Sequence, residues 1–263
     1  MEFVLNMSKK IYLDNSATTR MDSIVKKEFD KYLEVYGNPG SFHTEGLNAK
    51  KALSDARERI AKILNCKSSE IVFTSGGTES VNLALKGVVY GNVGKKNHII
   101  TCQVEHPAVL ETCEYLEKKG LKVTYLKVGN DGIISLDDLK KAITSDTLLV
   151  SIMYANNEVG TIQNISEIGK ICREKKIKFH TDACQAAGYL DLDVEKLNVD
   201  LMTLNGSKLY GPKGVGLLYV KTGVVLEPLI HGGGQESGKR SGTENVPGVM
   251  SFAKALEIVD ENK

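Results

Sequence analysis

Short β-branched runs alternate with longer stretches of helical period along most of this chain. The runs at 70–74 (EIVFT), 97–102 (NHIITC), 121–127, 147–153, 177–182, 200–204 and 216–220 predict strands. Helices are predicted between them at 78–90, 107–119, 136–143 and 166–175. This rhythm implies an α/β fold, a mostly parallel sheet with helices on both faces. The two ends differ in character. A short strand at 11–14 and two helices, about 22–35 and 44–64, precede the sheet, and a last helix covers 246–261. There is no internal repeat, low-complexity tract or proline-rich linker. The basic run at 173–176 suits a helix C-terminus, where cations meet the helix dipole favourably.

Composition narrows the class without naming a chemistry. A chain of 263 residues can bury a substantial core in one large or two ordinary domains. Its 34 Lys and Arg against 33 Asp and Glu leave a net charge of +1, so no strong field favours nucleic acid or an anionic membrane. Hydrophobic residues at 41% and charged residues at 25% fit a soluble globular protein, and no apolar run approaches a membrane span. The apolar part of MEFVLNMSKK is too short for a signal peptide, and Met7 is an alternative start. The five cysteines are odd in number and form no CxxC pair, so no metal site is expected. Free thiols of this kind point to a reducing cytoplasm.

Five segments hold candidate chemistry, each with an ordinary reading beside it. Ser75-Gly76-Gly77-Thr78-Glu79 lies between a strand and a helix, where backbone N–H groups can receive a phosphate. It also suits a plain βα turn with Thr78 near the cap. Asp182, closing a strand ahead of Cys184 and Gln185, can hold a protonated ring nitrogen or simply cap a loop. Lys208, in the Gly-rich turn Asn205-Gly206-Ser207-Lys208, is a candidate Schiff-base nucleophile or a surface lysine. His106, before Pro107, can stack on a planar ligand, move protons, or cap a helix. His231-Gly232-Gly233-Gly234, followed by Arg240-Ser241-Gly242-Thr243, permits close backbone approach and offers Arg240 to a carboxylate or phosphate, or is a flexible loop.

In this order the segments resemble the pyridoxal-phosphate (PLP) cysteine desulfurases of iron–sulfur and tRNA sulfur delivery, the NifS/IscS-like branch of the class V aminotransferases. The likeness starts at Tyr12-Leu13-Asp14-Asn15-Ser16-Ala17-Thr18-Thr19 and passes through Gly37-Asn38-Pro39, the Gly77 turn and Glu105-His106. It continues through Asn156-Asn157-Glu158-Val159-Gly160, Asp182-Ala183-Cys184-Gln185, and Lys208 with Tyr210-Gly211-Pro212-Lys213-Gly214. It ends with the glycine run after His231 and with Arg240 to Thr243, so it covers about 10–256.

The resemblance implies a PLP-dependent transferase of fold type I. Lys208 would be the Schiff-base lysine, and Asp182 would pair with the pyridine nitrogen. Gln185 would bind the ring's phenolic oxygen, and Asn157 that oxygen or the substrate carboxylate. His106 would stack on the ring and assist proton transfer. Gly77, Thr78 and Ser207 would hold the phosphate, with Asn205 nearby and Thr243 arriving from the second subunit of a homodimer. The implied reaction takes sulfur from L-cysteine, leaving L-alanine and an enzyme persulfide that serves a sulfur-acceptor protein, either an iron–sulfur scaffold or a tRNA-thiolation enzyme. No nucleic acid or membrane is contacted directly.

Ser207 stands where the family usually has His, and Asn205 where it often has Ser; both still donate hydrogen bonds. The expected organisation is an N-terminal segment at 1–20, a PLP-binding large domain at 21–256, and at 257–263 the connection to a C-terminal small domain. That domain carries the family's persulfide cysteine, and none of the five cysteines here occupies its motif. Cys184 is expected against the cofactor ring. Cys66, Cys102, Cys113 and Cys172 are expected as structural thiols in helices or strands. Alternatives are another class V enzyme, an aminotransferase or selenocysteine lyase, and a non-enzymatic fragment that binds PLP or dimerises.

Overall fold

The computed structural model describes residues 11–94 and 96–263. Most of the first ten residues' expected features, Met7 among them, therefore lie outside the described residues. Two helices come first. Helix α1 (Ser23–Leu33) starts where the Asp22 side chain accepts the Ile24 N–H, and α2 (Thr44–Leu64) is capped by His43. Asn65 ends α2 in the left-handed conformation. Then follow β1 (Ile71–Thr74), α3 (Gly77–Tyr90), β2 (His98–Cys102), α4 (Pro107–Glu117) and β3 (Lys122–Leu126). The chain continues through α5 (Leu136–Ala142), β4 (Thr147–Ser151), α6 (Ile165–Glu174), β5 (Lys178–Asp182) and the short α7 (Val194–Leu197). It closes with β6 (Leu201–Asn205), β7 (Gly216–Val220) and α8 (Val246–Glu261).

Among the described residues the strands form one seven-stranded sheet in the order β1-β7-β6-β5-β4-β2-β3. The pairs β2–β3, β2–β4, β4–β5 and β5–β6 are parallel, as right-handed βαβ crossovers require. Strand β7 runs antiparallel to both neighbours, β1 and β6. No α-helix separates β6 from β7, only a short 3-10 turn, so the chain turns back on itself there and the direction reverses.

Alternate strand residues feed two cores, which is why both faces are covered. Ile71, Phe73, Ile100, Val150, Phe179, Met202, Leu217 and Tyr219 meet the layer holding α2, α6 and α8. Val72, Ile99, Leu149, Leu201, Leu218 and Val220 meet α3 and α4. Helix α8 joins the first layer through Val249, Phe252, Ala253 and Leu256. Beyond residue 256 it is still tied down, for Arg59 of α2 donates two bonds to Glu257, at 2.5 and 2.6 Å.

The expected strand at 11–14 is absent. Its apolar run Ile11-Tyr12-Leu13 mimics a strand, but these residues are exposed and join no sheet edge. The segment is shaped instead by the Tyr12 hydroxyl, which donates to the Asp14 and Thr18 carbonyls, both at 2.9 Å. Cys66 is a second correction, since it lies in the turn after α2 and in neither a helix nor a strand. Asn65 has already broken the helix before it.

Candidate functional site

The carboxyl ends of β1, β2, β4, β5 and β6 converge on one open cleft. Such a position outside strand ends is where open α/β sheets bind ligands. The cleft brings together Gly77, Thr78, His106, Asn157, Asp182, Gln185, Asn205 and Lys208, from turns up to 131 residues apart in the chain (208 minus 77). Ser207 and Thr243, also expected at the site, do not line it.

The turn after β1 is shaped for close approach. Gly76 has φ 153° and ψ 179°, a conformation that favours glycine. A Cβ on Gly77 would meet the Cys184 Sγ at 2.9 Å and the Asn205 Cβ at 3.4 Å. The N–H groups of Gly77 and Thr78 open α3, and among the described residues neither has an acceptor. With the exposed Thr78 hydroxyl they suit a phosphate. Glu79 braces the turn from behind, accepting the Ser75 N–H at 2.7 Å.

Asp182 ends β5, is buried, and accepts the Cys184 N–H at 3.0 Å. It is the acid among the cleft's lining residues and would hold a protonated ring nitrogen. His106 caps α4, its Nδ1 accepting the Ala108 N–H at 3.0 Å. That bond fixes the neutral ring as the Nε2–H tautomer, so the capping role and a ligand-facing role coexist. Asn205 accepts the Ser207 N–H at 3.3 Å, which shapes the short 3-10 turn Gly206–Lys208.

Lys208 points its amine at the first segment of the chain. Its Nζ donates to the Ser16 carbonyl at 2.7 Å and to the Ala17 carbonyl. Gln185 Nε2 donates to the same Ser16 carbonyl at 2.8 Å. The segment is anchored where the Thr19 N–H and hydroxyl both donate to the Ser207 carbonyl, at 2.8 and 3.0 Å. So Ser207 contributes through its backbone, pinning residues 16–19 over the lysine. Sequence reasoning gave Ser16 and Ala17 no role. Their signal was present in the ordered motif Asp14 to Thr19, but backbone carbonyl contacts leave no side-chain trace.

Cys184 also lines the cleft. Burial, then the Asp182 charge, push its thiol well above the ordinary range, so it stays protonated. Burial likewise raises Cys66, Cys113 and Cys172 to about 12. No group of three or more metal-ligating side chains occurs among the described residues.

A lysine, a facing carboxylate, a stackable histidine and a free N–H pair at a helix start all fit one phosphorylated pyridine aldehyde. Comparison with known families matches residues 11–263 to aminotransferase class V. The chain belongs to that family. Class V enzymes depend on PLP, and the α/β fold with its mostly parallel seven-stranded sheet is that of NifS-like PLP enzymes. A cysteine desulfurase IscS of Clostridium botulinum is 51% identical over 257 residues, covering 97% of this chain and 65% of that protein. A NifS-like protein of known structure superposes with a TM-score of 0.94 at 47% identity, over 97% of this chain and 70% of that one. A structure of SspA in complex with cysteine gives 0.92 at 43% identity, over 94% and 72%. The chain thus spans about 65% of the length of the curated relatives it matches.

Proposed function

We propose that this class V chain forms the cofactor site of a cysteine desulfurase. The observation that carries the reading is the placing of Lys208, Asp182 and the Gly77-Thr78 turn around one cleft. The substrate is L-cysteine. Its sulfur passes to an enzyme thiol as a persulfide, leaving L-alanine, so one C–S bond breaks and one S–S bond forms.

PLP, bound at Lys208, supplies the electron sink for this chemistry. The chain's own residues then have distinct tasks. Gly77 and Thr78 receive the phosphate, with Asn205 beside them. Asp182 keeps the ring nitrogen protonated, while Gln185 and Asn157 orient the ring oxygen and the substrate carboxylate. Once free, the Lys208 amine accepts the substrate Cα proton, and His106 Nε2–H donates where the leaving group gains one. In the chain without cofactor the Ser16 and Ala17 carbonyls hold that amine.

The working unit is a homodimer. Thr243 supports this, being exposed and outside its own cleft, on a loop fastened near the phosphate turn. The acceptor is a protein, an iron–sulfur scaffold or a tRNA-thiolation enzyme, and the compartment is the cytoplasm. No helix among the described residues is long and apolar enough to cross a membrane.

An absorbance titration with PLP, wild type beside Lys208→Ala, tests the site. A visible band present only with Lys208 and altered by L-cysteine supports the reading. A colourless wild type overturns it, and transamination of L-alanine with a keto acid would move the chain to an aminotransferase.

A further inference from the structure

Glu105 precedes His106 in the turn between β2 and α4, yet its side chain is buried. Its Oε1 accepts the Met153 N–H at 2.7 Å and the Cys102 thiol at 3.2 Å. Its Oε2 is shut off from solvent and, among the described residues, has no hydrogen-bond partner. The side chains whose ionisation is tied to it are Cys102 on β2, Cys113 on α4 and Asp182 on β5, and none of these brings positive charge; His106 follows it in the chain.

An ionised carboxylate here would be buried, without a cation and beside another anion, which is strongly unfavourable. A neutral acid fits the contacts better. Its carbonyl oxygen has two lone pairs for the N–H and the thiol, and its hydroxyl, Oε2, leaves a neutral group without a partner where the ionised form would leave a charge. Met153 also lines the cleft, so the Glu105 bond joins the His106 segment to a second part of the cleft wall. Asn156 doubles the connection, its Nδ2 donating to the Val104 carbonyl at 2.9 Å. The same Asn156 accepts the Glu158 and Val159 N–H groups through Oδ1, which orders the loop carrying Asn157.

We propose that Glu105 is a positioning residue that works as the neutral acid, tying the turn of His106 to the Met153 wall and leaving Asp182 as the charged acid of the cleft. The inference rests on the PLP reading only for what His106 does; the tie exists without the cofactor. Burial, and secondarily the Asp182 charge, raise the Glu105 carboxyl to about 8.

The test uses the chain without PLP. Infrared spectra at pH 7 of wild type and Glu105→Gln should differ by one protonated-carboxyl band, present only in wild type. Nitrogen NMR of the His106 ring should show the Nε2–H tautomer in wild type and in Glu105→Gln, which keeps the carbonyl acceptor. Raising the pH through about 8 should shift the wild-type His106 signals and leave those of Glu105→Gln in place. Glu105→Ala should lose the single tautomer; if it does not fold, the glutamine variant and the infrared band still decide. No such band, a His106 signal lost in Glu105→Gln, or a folded Glu105→Ala with unchanged His106 signals each overturns the proposal. Failure of wild type to bind PLP while these signals hold would sink the cofactor reading and leave the Glu105 role standing.

Discussion

Arg240 grips Glu79 through two hydrogen bonds, 2.9 Å from Nε to Oε1 and 3.4 Å from Nη2 to Oε2. The pair joins the loop that carries Thr243 to the first turn of α3, where Gly77 and Thr78 offer their N–H groups. Burial works against the Glu79 charge, but Arg240 and the Ser75 N–H outweigh it and hold the carboxyl below its usual range. The arginine offered by the sequence to a carboxylate or phosphate is therefore held by a carboxylate of its own chain. Replacing it leaves Glu79 half-buried without its cation, with only the Ser75 N–H to hold it.

Arg240→Ala should accordingly loosen the phosphate turn. A partly buried, charge-assisted pair of this geometry contributes about 1.5–3 kcal/mol. PLP affinity, read by absorbance titration, should fall by roughly tenfold or more. Arg240→Lys should recover only part of the loss, because a lysine lacks the planar two-point fork. Equal affinity in wild type and Arg240→Ala would show that the loop and the turn are independent.

Gly77 and Cys184 should be energetically coupled. A methyl group at Gly77 would lie 2.9 Å from the Cys184 sulfur, closer than packing allows. Gly77→Ala is expected to weaken PLP binding and lower the melting temperature. In a Cys184→Ala background the same change should cost less, since the obstructing sulfur is gone, although Asn205 still stands at 3.4 Å. A double-mutant cycle with no interaction between the two sites would refute the contact.

Most of this architecture was legible in local pattern. Short apolar runs such as 70–74 and 200–204 became strands, and their alternate residues feed two cores. His106 sits at a helix start, as its place before Pro107 suggested. What stayed hidden is set by partners far away in the chain. Strand β7 reverses because no α-helix carries the chain across the sheet after β6, and 11–14 joins neither outer strand, β1 or β3, its conformation being set by the Tyr12 hydroxyl instead. At the site, the ordered motifs pointed to Lys208, Asp182 and Gly77, which meet in the cleft. The contacts of Glu105 with Met153 and of Lys208 with Ser16 join residues 48 and 192 apart, beyond the reach of any periodicity.

The native chain should resist thiol reagents. Cys102, Cys113, Cys172 and Cys184 are buried, and burial raises every thiol including the half-buried Cys66. Brief N-ethylmaleimide treatment at pH 7 followed by mass spectrometry should find little label, whereas denaturant should expose all five sites. Rapid native labelling of Cys184 would contradict its protonated, enclosed state.

Acid should destabilise the fold through His180. This ring is fully buried in β5, with Nδ1 2.8 Å from the Ser151 hydroxyl and Nε2 3.0 Å from the Thr203 hydroxyl. Burial lowers its pKa from 6.5 to about 3. The unfolded chain therefore binds a proton that the folded chain refuses in that window. The stabilisation is complete above pH 6.5 and is lost as pH falls towards 3, at up to about 1.4 kcal/mol per pH unit. His180→Gln keeps two hydrogen-bonding groups and has no charge to gain. It should be less stable than wild type at pH 7, where it packs worse, but its melting temperature should fall less steeply between pH 6 and pH 4. Parallel acid profiles for the two proteins would mean that His180 does not titrate on unfolding, and other groups such as His98, also lowered by burial, would have to carry the acid response.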